Sequence, residues 1–209
     1  MKPQAVGLLG ATGCACCGAR GAGLCAGCRT HLSRSPQVAR VPGVERTLAP
    51  WDYSGTARTL VLALKLGGKR WAAESLADGM SAEALVEGLE GSVITWVPGR
   101  RSDIRARGYD HAKVLAEETG RRLGLQVIRL LRRAGPRRSD QAALGRADRL
   151  ANLEGAFSAR PSPAAVVIVD DLVTTGATGA ACGEALRNAG ARTVELVAAC
   201  YVPSSQDAR

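Results

Sequence analysis

The feature that most constrains the fold is an apolar run that ends in two acids and a turn rich in threonine and glycine. Five apolar residues at 165–169 follow one another without polar alternation, which predicts a strand buried on both faces. Asp170 and Asp171 come directly after this run, and a helical pattern begins at Gly176. A strand, a turn and a helix in this order are typical of an open α/β sheet, whose ligands bind at the carboxyl ends of the strands.

The turn after this strand has the chemistry of a sugar-phosphate site. Carboxylates accept hydrogen bonds from the two hydroxyls of a ribose, which gives Asp170 and Asp171 a reason to stand together at a strand end. The N–H groups at a helix start attract an anion, and glycine lets the backbone come close. A 5′-phosphate is therefore expected at Thr174, Thr175, Gly176, Ala177 and Thr178. The structural alternative is an ordinary turn in which Asp170 and Thr174 only cap the chain ends.

Helical and extended patterns alternate along the main part of the chain. The spacing of apolar residues predicts helices at 56–66, 71–89, 110–123 and 176–188. Short apolar runs predict strands at 92–97, 126–131, 164–169 and 193–200. Asp110 is the predicted N-cap of the third helix, and 132–152, which has no clean period, is predicted to be a mobile loop. This alternation predicts an α/β fold with an open, mainly parallel sheet and helices on both faces.

Composition divides the chain into four parts. Residues 1–35 hold most of the cysteines, and 36–50, with three prolines, is predicted to be a linker that leads into a strand. The main domain is predicted at 51–202, and a frayed tail at 203–209. The first residues do not resemble a secretion signal, and no stretch approaches the ~18 apolar residues of a membrane span. We therefore expect a cytoplasmic protein without a membrane span.

Two Cys-x-x-Cys pairs predict a structural metal site near the N-terminus. Cys14 and Cys17 form one pair, and Cys25 and Cys28 form the other. Four thiolates can meet in a tetrahedron, which suits Zn²⁺, and a closed site of this kind offers no open position for catalysis. The alternative is a set of unliganded thiols, and Cys16 could compete for a place in the cluster. Two further cysteines in apolar surroundings, Cys182 and Cys200, are predicted to be buried packing residues.

Positive charge is concentrated in the middle of the chain. Residues 100–149 contain fourteen Lys or Arg and six Asp or Glu, which is most of the net charge of +9. Such a cluster suits a loop that closes over a polyphosphate or a surface that binds nucleic acid, although a solvated face is the simpler explanation. The candidate lid or anion contacts are Arg105, Arg107, Arg132, Arg133 and Arg149. The sequence does not identify a catalytic residue. His111 is a candidate, but a lone histidine beside an N-cap is more often structural.

The strand-turn-helix run resembles the motif with which type I phosphoribosyltransferases bind 5-phosphoribosyl 1-diphosphate (PRPP). Its neighbours narrow the resemblance to the ComF family, in which an N-terminal zinc ribbon precedes such a domain. The residues that carry this resemblance are Tyr53-Ser54-Gly55, Lys65, Val97-Pro98, Arg105-x-Arg107-Gly108-Tyr109-Asp110, Gln141, Leu144, Arg149-x-x-Asn152 and Gly155-x-Phe157. One departure concerns Tyr109-Asp110-His111, where many relatives have Phe-Asn-Gln, which leaves the identity of the acceptor open.

The resemblance implies a set of roles. Asp170 and Asp171 would hold the ribose hydroxyls directly or through a metal, and the turn Pro98-Gly99-Arg100 would be the diphosphate loop. Mg²⁺ would arrive with the diphosphate, and residues 1–35 would be a zinc ribbon. Because the family is associated with natural competence, single-stranded DNA and a protein of the competence machinery are implied as partners.

Three functions are consistent with the sequence. The first is a pentosyl transfer from PRPP to an unknown acceptor. The second is a non-catalytic role in DNA uptake for transformation, as a protein that binds nucleic acid or senses nucleotides. The third is nucleobase salvage, which requires a surface that reads a base, with Trp51, Trp71 or Tyr109 as aromatic candidates.

Overall fold

The structure is a computed structural model that describes residues 13–14, 16–20, 23–35, 38, 40–66, 69–134 and 155–203. The helices of this part are α1 (Ala26–Arg29), α2 (Gly55–Lys65), α3 (Trp71–Glu87), α4 (Arg101–Arg107), α5 (His111–Leu123) and α6 (Ala177–Asn188). The strands are β1 (Arg46–Leu48), β2 (Trp51–Asp52), β3 (Val93–Trp96), β4 (Gln126–Val127), β5 (Leu131–Arg133), β6 (Phe157–Ala159), β7 (Ala165–Val173) and β8 (Thr193–Tyr201). None of the described helices has the length and apolar character needed to cross a bilayer.

The main sheet is parallel. Its strand order is β1-β8-β7-β3-β4, with β2 also paired to β8, and every pairing in it is parallel. The strands β7 and β8 are nine residues long, and their ladder is the longest of the sheet. A separate antiparallel pair is formed by β5 and β6. Because β3 and β7 are parallel neighbours in the main sheet, their carboxyl ends lie side by side at the same edge of that sheet.

Both faces of the central strands are covered, because a parallel sheet must bury both of its surfaces. On one face, Val167 and Val169 of β7 pack in a core that also contains residues of α2, α3 and α5. On the other face, Val166 and Ile168 pack with residues of α6 and of the β5–β6 pair. The predicted α/β architecture with helices on both faces is confirmed.

The elements differ from the prediction at several places. The strand predicted at 164–169 continues to Val173, because β7 keeps its ladder with β8 beyond Val169, so the two acids lie within the strand. The strand predicted at 126–131 is two strands, since the ladder of β4 with β3 ends near Val127 and β5 pairs with β6 instead. Helix α4 was not predicted, because its seven residues are mostly charged and show no apolar face.

The segment predicted as a loop at 132–152 also begins with structure. Arg132 and Arg133 belong to β5, where they pair with Ser158 and Phe157 of β6. Of the rest of this segment, only Ala134 is described, and it also donates a backbone hydrogen bond to Ala156. Gln141, Leu144, Arg149 and Asn152 lie outside the described residues.

The cysteine-rich segment packs on the main domain. Cys14 and Leu24 are buried in the same core as α2 and α3. Two ion pairs connect this segment to α3, Arg29–Asp78 at 3.5 Å and Arg34–Glu83 at 3.0 Å. The two parts of the chain therefore share one hydrophobic core.

Candidate functional site

The turn from β7 to α6 forms a concave surface at the carboxyl edge of the sheet. The described residues that line it include Asp170, the whole of the predicted cradle from Thr174 to Thr178, Gly179 and Leu196. The N–H groups of the first turn of α6 have no acceptor within the helix. That of Ala177 donates to Oγ1 of Thr175 at 3.4 Å, and the turn still presents donors to an anion. The predicted phosphate cradle is thus one continuous surface that begins at the first acid of the pair.

Close packing holds the first turn of α6 in place. Gly176 has a φ of 75°, and a side-chain carbon there would lie 2.5 Å from Cγ2 of Val41. A side-chain carbon on Gly179 would lie 2.7 Å from Cδ2 of Leu196. The backbone of the turn can therefore lie against the sheet and against Val41 only because both positions are glycine.

The second acid of the pair is held by two side chains from distant parts of the sequence. Oδ2 of Asp171 lies 2.5 Å from Nζ of Lys65, and Oδ1 lies 3.4 Å from Nε2 of His111. Asp171 is only 4% exposed. Burial by itself raises the pKa of this carboxyl, but the hydrogen bond from His111 and the charge of Lys65 lower the pKa to about 2. Asp171 is therefore a fixed anion.

The first acid is in the opposite electrostatic situation. Burial and the neighbouring charge of Asp171 raise the pKa of Asp170 well above its usual range. Its Oδ1 accepts a hydrogen bond from the backbone N–H of Asp171 at 2.8 Å. Hydroxyl groups of a bound sugar would supply donors to Asp170 and so favour its ionised form.

Lys65 is positioned by the turn between α4 and α5. The hydroxyl of Tyr109 donates a hydrogen bond to the carbonyl of Leu64, and Nη1 of Arg107 lies 3.5 Å from the carbonyl of Lys65. These contacts satisfy carbonyls that the last turn of a helix leaves free. Arg107 also donates through Nε to the carbonyl of Asp103 at 3.1 Å.

Asp110 supports the turn that follows β3. Its Oδ2 accepts hydrogen bonds from Nε1 of Trp96 at 3.2 Å and from the N–H of Gly99 at 3.3 Å. Asp110 occupies the N-cap position of α5, as predicted, but its side chain makes no capping hydrogen bond. The same carboxylate therefore holds the turn Pro98-Gly99-Arg100, which is the predicted diphosphate loop.

Arg133 brings a positive charge to this turn. Its Nε lies 3.4 Å from the carbonyl of Pro98, and its guanidinium lies 4.7 Å from the ring centre of Phe157. Burial and the nearby charge of Arg100 lower the pKa of Arg133, while Asp170 acts in the opposite direction. An additional anion beside Pro98 would therefore find a partly desolvated guanidinium already in place.

The other predicted anion contacts lie in different situations. Arg105 on α4 and Arg132 on β5 are exposed, as is Arg100 at the turn after β3. Arg107 is directed to backbone carbonyls, and Arg149 lies outside the described residues. Of the four predicted contacts that the structure describes, Arg133 is the one that contacts the turn after β3, and the charge of Asp170 acts on its pKa.

The four predicted metal ligands come together. The sulfur atoms of Cys14, Cys17, Cys25 and Cys28 all lie within 4.8 Å of one another. Four thiolates about one Zn²⁺ at ~2.3 Å require such a cluster, so these residues fit a closed zinc site. Cys25 is also the N-cap of α1, where its sulfur accepts from the N–H of Cys28 at 3.4 Å.

The remaining cysteines have other surroundings. Cys16 is not part of the four-sulfur cluster, and it makes a side-chain hydrogen bond with Thr56 at the start of α2. Cys182 and Cys200 are fully buried, as predicted, and burial raises the pKa of both thiols.

The aromatic residues considered as base contacts are engaged elsewhere. Trp51 lies under the guanidinium of Arg34, Trp71 lies under the ammonium of Lys69, and Tyr109 bonds to Leu64. Among the described residues that line the surface at the β7–α6 turn, none is aromatic.

Comparison with known proteins agrees with this geometry. Residues 112–209, a little under half of the chain, match the family model for the phosphoribosyl transferase domain. This part of the chain is therefore similar to a phosphoribosyl transferase domain. No curated protein matches the sequence. The match includes β7, the turn and α6, whereas Lys65 and the cysteine cluster precede it.

Nine solved chains also match. One of them is described as the structure of the allosteric regulatory enzyme of purine biosynthesis, with 21% identity and a TM-score of 0.39. The match covers 61% of this chain and 25% of that enzyme, so the present chain is similar to a quarter of a larger protein.

Proposed function

We propose that this protein binds PRPP at the β7–α6 turn and transfers its phosphoribosyl group to an acceptor. The observation that carries the proposal is the continuous surface from Asp170 through Thr174–Thr178, inside the region that matches the phosphoribosyl transferase domain. The 5′-phosphate would lie at the N-terminus of α6, and the ribose hydroxyls at the acid pair. The diphosphate would lie toward Pro98-Gly99-Arg100 and Arg133, accompanied by Mg²⁺.

The reaction that this arrangement suits is a displacement at the anomeric carbon. A bond from the acceptor forms at this carbon as the bond to the diphosphate oxygen breaks, and the electron pair of that bond leaves with the diphosphate. Arg133 and Arg100 would stabilise the negative charge of the leaving group, since preorganised donors act most strongly where charge develops. The protein would contribute mainly position and charge.

Calorimetry with zinc-loaded protein, Mg²⁺ and PRPP tests the binding. We expect a saturable isotherm that Asp170→Asn weakens by about tenfold, which corresponds to the loss of ~1.4 kcal/mol. Asp78→Asn, which changes an exposed carboxylate on α3, is the matched control and should bind as the wild type does. A flat isotherm for the wild type would exclude the proposed function.

Turnover is tested separately, by release of diphosphate from PRPP in the presence of a panel of nucleobases and amines. Product formation with a base would identify salvage, and product formation with an amine would identify another acceptor class. Binding of PRPP without release in any of these mixtures would show a phosphoribosyl sensor.

A second candidate function is binding of single-stranded DNA, in keeping with the resemblance to the ComF family and its role in competence. The observation that favours it is the exposure of four arginines. Arg100, Arg101 and Arg105 lie at the N-cap of α4 and on α4, and Arg132 lies on β5. We expect a steep fall of affinity with salt, because phosphate contacts release counterions. The double charge reversal Arg105→Glu, Arg132→Glu should abolish binding, and absence of binding at low salt would remove this candidate.

A further inference from the structure

The ion pair between Lys65 and Asp171 places an ammonium group beside the second acid of the pair. Nζ of Lys65 lies 2.5 Å from Oδ2 of Asp171, and His111 approaches the other oxygen to 3.4 Å. The side chain of Asp171 is 5% exposed and that of Lys65 is 26% exposed, so bulk water screens this pair weakly. Each oxygen of the second acid therefore already faces the side chain of Lys65 or His111 before any ligand arrives.

Lys65 is held in this place by the backbone that carries it. It is the last residue of α2, and the carbonyls of Leu64 and Lys65 are contacted by Tyr109 and Arg107. The adjacent residues Leu60, Val61 and Leu64 are fully buried in the core that contains α3 and α5. The ammonium group is thus fixed relative to Asp171 by a packed helix end.

This arrangement does not suit Asp171 as a ligand of Mg²⁺. The ion requires oxygen atoms at ~2.0–2.1 Å in a near-octahedral shell. An ammonium group 2.5 Å from Oδ2 occupies the space in front of that oxygen and repels a second cation. Of the two acids, only Asp170 could then offer an oxygen to a metal.

We propose that Lys65 is the resident cation beside Asp171 and keeps a metal ion from it, so that the carboxyl group of Asp170 receives the ribose hydroxyls without a metal bridge. Mg²⁺ would then enter only with the diphosphate, on the side of Pro98 and Arg133. Lys65 acts through Asp171 and is a positioning residue. The identity of the sugar ligand rests on the proposed function, whereas the role of Lys65 toward cations does not.

Binding of Mn²⁺, measured by electron paramagnetic resonance on zinc-loaded protein without PRPP, tests the role of Lys65. We expect the wild type to bind Mn²⁺ weakly, with an affinity that Asp171→Asn leaves unchanged. Lys65→Met removes the charge without adding a metal ligand and should raise the affinity by about tenfold or more. The double variant Lys65→Met, Asp171→Asn should lose this gain.

The control is Lys69→Met, which removes a lysine that is exposed and lies over the ring of Trp71. It should bind Mn²⁺ as the wild type does. An affinity in Lys65→Met that equals that of the wild type would overturn the proposal. Tight Mn²⁺ binding by the wild type that Asp171→Asn abolishes would overturn it as well, and this comparison remains decisive if Lys65→Met does not fold.

Ribose 5-phosphate, which lacks the diphosphate, provides the matching ligand experiment. Its affinity should be the same with and without Mg²⁺, and an increase of tenfold with Mg²⁺ that depends on Asp171 would contradict the proposal. Absence of binding of both ribose 5-phosphate and PRPP would instead exclude the proposed function, and the Mn²⁺ titration would still decide the role of Lys65.

Discussion

At the scale of single residues, the acid pair shows how two adjacent carboxyl groups acquire opposite properties. Successive residues of a strand point to opposite faces, so Asp170 and Asp171 meet different surroundings. Asp171 meets Lys65 and His111, which lower its pKa to about 2 against the effect of burial. Asp170 is subject to burial and to the charge of Asp171, which raise its pKa. Asp171 is therefore a carboxylate whose charge stabilises the folded protein. Asp170 is a carboxyl group whose ionisation the fold disfavours.

Asp171→Asn is expected to destabilise the protein by about 2–3 kcal/mol at pH 7, since each unit of pKa shift corresponds to ~1.4 kcal/mol. A lowered pKa in the folded state contributes stability above the pKa of the unfolded chain, ~3.9, and that contribution is lost as the pH falls through about 2. Urea unfolding at pH 7 measures the change. Glu117→Gln, which breaks an exposed pair with Lys113, should change stability by less than ~0.5 kcal/mol. An equal effect of the two substitutions would contradict the prediction.

Asp170→Asn is expected to have the opposite effect on stability. A raised pKa in the folded state means that the folded protein binds more protons, so its stability falls as the pH rises above the pKa of the unfolded carboxyl. At pH 8 the variant should unfold about 2–4 °C above the wild type, the shift that ~1 kcal/mol causes in a domain of this size. The difference should shrink as the pH is lowered toward the pKa of the unfolded carboxyl, ~3.9. A midpoint below that of the wild type at pH 8 would show that Asp170 is not under this strain.

At the scale of secondary-structure elements, the end of α2 depends on the turn between α4 and α5. Gly108 ends α4 with a φ of 80°, and the next residue, Tyr109, reaches the carbonyl of Leu64. Asp110 then holds the turn after β3 through Trp96 and Gly99. One short segment thus connects the helix that carries Lys65 with the predicted diphosphate loop.

Tyr109→Phe tests this connection by removal of one hydroxyl. We expect a loss of about 1 kcal/mol of stability, the usual contribution of one such hydrogen bond. Binding of PRPP should weaken as well, because the carbonyl of Leu64 loses a contact that positions Lys65. Tyr53→Phe, which alters another partly buried tyrosine of the same core, is the control and should leave PRPP binding unchanged. Wild-type stability and affinity in Tyr109→Phe would show that the hydroxyl does not position α2.

At the scale of the whole molecule, the cysteine cluster and the proposed sugar site lie near opposite ends of α2. Thr56, near its start, contacts Cys16, and Lys65, at its end, contacts Asp171. Cys14 and Leu24 share the core of α2 and α3, so order in the cluster is part of the packing of the main domain. A change at the metal site is therefore expected to reach the sugar site through packing.

Removal of zinc is expected to destabilise the whole chain. Cys25→Ser should lose the metal, and its unfolding midpoint should fall by several degrees, ~2–4 °C for each kcal/mol lost. Affinity for PRPP should fall with it. Cys16→Ser, which lies outside the four-sulfur cluster, should keep one zinc ion per chain in a metal analysis. If Cys25→Ser loses zinc but keeps the midpoint and the affinity of the wild type, the module is independent of the main domain.

The local pattern of the chain was enough to predict the type and place of most elements and the cluster of four cysteines. The turn at Thr174–Thr178 could also be predicted, because it follows a strand and precedes a helix within a few residues. The geometry of such a turn depends mainly on residues that are neighbours in the sequence. The same reasoning predicted that β7 ends at Val169. The strand continues to Val173 because it remains paired with β8. It missed α4, whose charged residues have no apolar period.

What the sequence by itself determined is therefore the turn after β7, together with the four cysteines whose sulfur atoms fit a zinc site. Only the tertiary structure decided what surrounds Asp171. Lys65 and His111 belong to helices that precede it by many residues, and no local pattern indicates that these side chains meet. Their approach follows from the packing of α2 and α5 on one face of the sheet, which converts a pair of acids into one fixed anion and one carboxyl group that awaits a ligand.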